Sequence, residues 1–170
     1  MNETPTLTAP GIILRPLLLS DAPALFIALG DPDVQLYRRA AAHADVSETE
    51  AYIADTLARS AAAWAITDDG GEALGRLALR VDGGTGEFGI VLRRAAHRQG
   101  LAFKALLLAQ AYAFGPLRLA TLRADIDSEN TASIALFDRV GFTHAAYLPA
   151  RRTTKLGVRD SVIMEKRRPA

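Results

Sequence analysis

The chain has 170 residues, 49% of them hydrophobic, with 20 Lys+Arg against 19 Asp+Glu, a net charge of +1 and no cysteine. That length suits one domain with its own core, and the near-zero charge supplies no field to hold a phosphate polymer, which sets nucleic acid aside as a partner. The missing cysteine excludes disulfides, thiolate metal sites and a covalent cysteine intermediate; His43, His97 and His144 lie too far apart for a local metal motif, and the apolar runs are too short and charge-broken to span a bilayer.

The opening MNETPTLTAP has no basic segment followed by an apolar core, so no signal peptide is read and a cytoplasmic protein is expected. A single domain over residues 1–170 is expected, with 1–9 and 167–170 as flexible tails. GIILRPLLLSDAPALFIALG predicts a strand and then a helix, with Ser20 at the N-cap, Pro23 early and Gly30 past the end. DPDVQLYRR restarts with an Asp cap and a proline in the first helical position, predicting a short second helix. SETEAYIADTLARS predicts a third, opened by a Ser47/Glu50 capping box.

From Ala62 the period shortens. AAWAITD, GEALGRLALRVD and GEFGIVL are short apolar or alternating runs between Asp/Gly turns, which predicts three consecutive antiparallel strands. A helix follows from about Gln99, then a strand in LRLATLRAD, then a helix in NTASIALFDRVGF with Ile134, Phe137 and Val140 on one side and Gly141–Phe142 as its C-cap and clasp. HAAYLPARRTTKLGVRDSVIMEKRR predicts two strands around a basic loop. With no internal repeat and no linker, the reading is an α+β domain on one mixed sheet.

Gly100 stands between a strand and a helix, where unpaired N–H groups and the positive end of the helix dipole favour an anion and a glycine lets it approach. A plain turn glycine is the equal alternative on local sequence.

The order GEFGIVL, HRQGLAFKALLLAQAYAF, LRADIDSENTASIALFDRVGF, RDSVIMEK resembles the GNAT superfamily of acetyl-CoA-dependent N-acetyltransferases, from about Gly11 to Lys166, and LRPLLLSDAPALF is similar to the branch of ribosomal-protein N-terminal acetyltransferases. Asn130, Ser133, Gly141 and Phe142 fall at the family's spacing. The resemblance implies the family's fold, a mostly antiparallel sheet flanked by helices, and a pyrophosphate loop of the form Gln/Arg-x-x-Gly-x-Gly/Ala. Two registers fit that loop. In one, Gly100 is the first glycine, Ala102 the second small residue and His97 the Gln/Arg; in the other, preferred because Leu101, Ala102, Ala105 and Phe114 then match the following helix, Gly100 is the second glycine and Arg98 replaces the first.

By the same resemblance Glu87 is the base that removes the ammonium proton, directly or through water; a solvent-facing strand residue, from its alternation with Phe88, is the lesser alternative. The strand backbone at Ile90, Val91 and Leu92 is implied as donor to the thioester carbonyl, with His97, Arg98, Gln99, Gly100, Leu101, Ala102 and Phe103 at the pyrophosphate and Asn130 at the pantetheine arm. Phe137 holds the position where many relatives have a proton-donating tyrosine, so Ser133, one turn earlier, is nominated as partner of the leaving sulfur; an ordinary helix serine is the alternative. Tyr37, Arg38, His43, Tyr147 and Arg151 are implied around the acceptor; Trp64 reads better as core, and Arg151, Arg152 and Lys155 as a solvated hairpin tip.

The reading is therefore an acetyltransferase acting by direct transfer to a small-molecule amine or a protein N-terminus, with acetyl-CoA as cofactor, no metal, no nucleic acid, no membrane and room for a homodimer. The alternative is a non-catalytic acyl-CoA-binding or sensor protein on the same fold, suggested by Arg98 and Phe137.

Overall fold

The computed structural model describes residues 3–170. Its strands are β1 Leu7–Ala9, β2 Ile12–Pro16, β3 Ala62–Thr67, β4 Gly75–Asp82, β5 Thr85–Leu92, β6 Thr121–Asp127, β7 Thr143–Thr154 and β8 Gly157–Arg167; its helices are α1 Ala22–Leu29, α2 Val46–Arg59, α3 Leu101–Phe114 and α4 Thr131–Arg139. The strands form one eight-stranded sheet in the order β1-β2-β3-β4-β5-β6-β8-β7, antiparallel at every pairing except β5–β6. This is the mixed α+β architecture that the alternation of short runs implied.

Each face of the sheet buries its own core. On one, Trp64, Leu77, Leu79, Phe88 and Leu92 pack with Leu106 and Ala109 of α3 and Phe137 of α4; on the other, Ala63, Ala65, Ala78 and Val91 pack with Leu25 and Leu29 of α1 and Ile53 of α2. The small alanines on the second face let α1 and α2 lie close to the sheet. Trp64 is core, as read, with its Nε1 donating to Pro5 O at 2.8 Å. The tight β4–β5 hairpin turns on Gly83 and Gly84, both at positive φ, the backbone that a two-residue turn of matching twist requires.

Four local readings are corrected. The expected tails are shorter: residues 7–9 form β1 and Arg167 ends β8, while Met1 and Asn2 lie outside the described residues. Ser20 is not the cap of α1; a 3-10 turn, Leu19–Asp21, comes first, and buried Asp21 accepts the Leu18 N–H at 2.9 Å and pairs with Arg15 at 2.6 Å. The helix read in residues 31–39 is a run of turns. Asp31 accepts the Asp33 N–H and both carboxylates bind Arg94, while the Gln35 side chain is buried on Ala28 O, so tertiary partners overrode the local cap. In α2 the capping pair sits two residues earlier than Ser47/Glu50: Asp45 accepts from Glu48 N, and the Glu48 carboxylate accepts from Ala44 N at 2.8 Å. The α4 termini match the reading, with Asn130 capping Ser133 N and Phe142 N–H returning to Phe137 O beneath an edge-on Phe137/Phe142 pair.

Candidate functional site

The β5–β6 pairing covers only Thr85–Glu87 against Thr121–Arg123, although β5 runs on to Leu92 and β6 to Asp127. Beyond Glu87 the two parallel strands therefore part, leaving a wedge-shaped gap in the sheet. Arg93 N–H donates to Leu74 O and Gly84 O accepts from Ala120 N, which fixes the alternation: odd residues of β5 direct their backbone groups at β4, Gly86 and Phe88 flank the last pairing with β6, and the backbone groups of Ile90 and Leu92 face the gap. An unpaired strand edge inside a sheet is a ready receptor for an extended ligand.

Both strands lead at the mouth of this gap into helix N-termini. The first intrahelical bond of α3 runs from Lys104 N to Gly100 O at 3.0 Å, so the amides of Leu101, Ala102 and Phe103 precede it and stand at the positive end of the helix. Gly100 caps that helix at φ 74° and Arg98 lies at φ 60°. A second left-handed residue two positions before Gly100 is what a glycine-x-glycine loop contains, which favours the register placing Arg98 in a glycine slot. Of the arginines crowding this loop, Arg93 is committed to Glu72 and to the carbonyls of Ala24 and Ala73, and Arg94 to Asp31 and Asp33. Arg98 and Gln99 are exposed, and Gln99 reaches back to Ala95 O. His97 puts Nε2 within 2.9 Å of Leu92 O and so ties down the end of β5, a role its sequence position did not suggest. At the other helix, Asn130 spends Oδ1 on the α4 cap and keeps its amide donors; Ser133 is partly exposed, and Phe137 is buried against Phe142.

The opposite face of the gap is polar. Glu87, exposed, is the last β5 residue paired with β6, and the register sets Arg80, Glu87, Arg123 and Glu165 side by side across four strands. Glu87, Arg123, Asp125, Arg151, Ile163 and Glu165 line a groove of about 280 Å³. In it Asp125 is held by Arg152, with Arg151 at 3.6 Å and Arg39 at 3.7 Å. Burial pushes the Asp125 carboxyl up, but its hydrogen bond to Ser161 and the Arg152 charge outweigh this and leave it below the usual carboxylate range. Buried Asp127 behaves the same way through its two bonds from Arg159 and the Glu129 amide. A bulge in β7 between Leu148 and Arg152, with Ala150 at φ 50° and its N–H on Asp160, turns Arg151 and Arg152 toward this groove.

The structure thus brings Glu87 and Arg151 together. The exposed Tyr147 stands nearby on β7 with its hydroxyl on Asp160, a bond that raises the phenol's pKa. Arg38 and His43 belong to the segment between α1 and α2: Arg38 donates to the Tyr52 hydroxyl, and His43 bonds Thr49 and packs edge-on to Tyr52. Burial lowers the His43 pKa, with Glu48 opposing it. Tyr37 is partly buried in the same segment. Sequence reading missed Arg76, Tyr52, Asp125, Asp127 and Glu165. The alternation Arg123, Asp125, Asp127 in LRADID was a legible sign of one charged strand face.

The model of the acetyltransferase (GNAT) domain family matches residues 12–143. No curated protein sequence matches the chain. Among solved structures, a GNAT-family acetyltransferase from Bacillus anthracis superposes with a TM-score of 0.87 at 18% identity, covering 96% of this chain and 98% of that one. Mycobacterium smegmatis RimJ in complex with CoA-disulfide gives 0.83 at 22% identity over 96% of this chain and 86% of that one. Spermidine N-acetyltransferase from Vibrio cholerae, in complex with CoA and spermine, gives 0.82 at 17% identity over 94% and 97%. With the family model spanning residues 12–143, most of its length, the chain belongs to the GNAT family of N-acetyltransferases.

Proposed function

We propose that the protein transfers an acetyl group from acetyl-CoA directly to a primary amine, both substrates being bound at once on opposite sides of the β5–β6 gap. The observation that carries this reading is the gap itself, an unpaired β5 edge at the mouth of two helix N-termini, backed by carboxylates on the far face. The residues present fit the cofactor: a Cβ at Gly100 would meet nothing within 4 Å, so the space before α3 is open to a phosphate, and the CoA complexes of the RimJ and spermidine N-acetyltransferase structures support the same class of ligand. Acetyl-CoA supplies the acetyl group as an activated thioester.

The chain's own residues do the rest. Leu101, Ala102 and Phe103 offer amides to the pyrophosphate, flanked by His97, Arg98 and Gln99. The gap-facing backbone of β5, at Ile90 and Leu92, polarises the carbonyl oxygen, and Val91 anchors that edge to the sheet. Asn130 holds the pantetheine arm through its amide donors. Glu87 takes the ammonium proton, directly or through water, so that the nitrogen attacks as a free amine; as the carbon–nitrogen bond forms and the carbon–sulfur bond breaks, the second nitrogen proton would pass to the leaving sulfur, whose charge the Ser133 hydroxyl stabilises by a hydrogen bond that buried Phe137 cannot make.

Titration calorimetry with acetyl-CoA and with acetyl-pantetheine, followed by an amine screen, tests the reading. Acetyl-pantetheine should bind at least about 100-fold more weakly, and Glu87→Gln should lower kcat/KM about 100-fold while abolishing the acid limb of its pH profile. An unchanged profile sinks the base assignment. Tight acetyl-CoA binding with no transfer to any amine would favour the sensor reading that Phe137 suggests.

A further inference from the structure

Arg76 is an anomaly among the arginines of this fold. It lies on β4 between Ala65 and Val91, facing the α1–α2 layer, and is only 4% exposed. Its Nη1 donates to Gly89 O at 2.9 Å, its Nε is buried with no partner, and its guanidinium sits 5.2 Å from the Tyr52 ring centroid. Arg38 lies 5.9 Å from the same centroid and donates to the Tyr52 hydroxyl. Burial, together with the neighbouring charges of Arg38 and Arg80, pushes the Arg76 pKa down, the direction of a buried cation with no counter-charge.

Arg15, Arg93, Arg94, Arg123, Arg152 and Arg159 all have carboxylate partners; among the described residues neither Arg76 nor Arg38 has one. Holding the Gly89 carbonyl needs one neutral donor. It does not need a buried cation with a second cation on the same tyrosine. An oxyanion would compensate both and use the fork of donors that a guanidinium presents.

The location says which oxyanion. Gly89 adjoins gap-facing Ile90 and lies two residues beyond Glu87 on the same face. The helix end proposed for the cofactor's phosphates serves the opposite face. Resting on the proposed acetyl transfer, we infer that Arg76 and Arg38, around Tyr52, form a subsite for the carboxylate of an amino-acid-type acceptor whose ammonium faces Glu87. The amine and the anion of the acceptor must then lie close together, as in α- or β-amino acids, and a polyamine or a peptide N-terminus lacks the second handle.

The test compares matched acceptors: the standard α-amino acids and β-alanine, their carboxamides, and the corresponding aminoalkylphosphonates. Wild type should use the free acid at least about 10-fold better than the carboxamide in kcat/KM, and Arg38→Gln should collapse that ratio by raising KM for the free acid. Arg38 is partly exposed, so this variant tolerates loss of the side chain better than Arg76→Lys, which serves as the second. Titrating N-acetyl-amino acids and their carboxamides in the presence of CoA reads the subsite without turnover. Equal use of acid and amide, a ratio unmoved by Arg38→Gln, or a preference for the phosphonate would overturn the inference while acetyl transfer stands. Failure of acetyl-CoA to bind would instead strike the reading beneath it, and selective binding of the N-acetylated acids would still decide the subsite.

Discussion

Gly100 and Arg98 hold the same left-handed backbone region, and only one of them has the side chain suited to it. A methyl at Gly100 would touch no protein atom, so Gly100→Ala should act through backbone strain alone, costing about 1 kcal/mol and about 2–4 °C in thermal midpoint. It should also weaken acetyl-CoA about 10-fold, because the methyl stands where a phosphate would meet the α3 amides; a melting curve and a titration read the two effects separately. Arg98→Gly should be nearly neutral in stability, the strain relieved being offset by a looser unfolded chain. The places of Gly100 and Asn130 at helix starts were legible from local signals, whereas Glu87 was nominated only by the family resemblance. Arg76 was not legible: its meaning depends on Tyr52 and Gly89, which only the folded sheet sets beside it.

At the level of elements, β6, β8 and β7 form a charged scaffold in which Asp127 receives Arg159 and the Glu129 amide, and Asp125 receives Arg152. Asp127→Asn should cost about 2 kcal/mol, since it leaves Arg159 leaning on Glu129 alone and loosens the turn into α4. Denaturant melts measure this directly. Because both carboxyls are lowered by folding, their contribution is present above the unfolded value and is lost as pH falls through and below about 4; Asp127→Asn should flatten that acid limb of stability. Strand runs and the α3 and α4 helices were readable from periodicity and caps. The segment at 31–39 was not, because Arg94 and Ala28, distant in sequence, claim the groups that a local helix would have used.

Across the whole molecule, β1–β5 form one half of the sheet and β6, β8 and β7 the other, joined by three residue pairs at Thr85–Glu87. A ligand lying along the free edge of β5 would add to that narrow join. Acetyl-CoA at about 100 times its Kd should therefore raise stability by about 2.7 kcal/mol, roughly 5–10 °C, and slow hydrogen exchange at Ile90 and Leu92 more than at Leu77 or Leu79. Uniform slowing across β4 and β5 would argue against a ligand in the gap. The gap itself was not legible in GEFGIVL, where nothing marks the residue at which pairing stops.

That narrow join has a consequence for how the chain assembles. β4–β5 and β7–β8 are hairpins that close over short turns, whereas Glu87 meets Arg123 only after α3 has been carried across the sheet. Loop-closure entropy makes such a pairing the slower one to form. A folding chain that has both hairpins but not this seam holds local pairing and none of its cleft, so the capacity to bind arrives with the final closure.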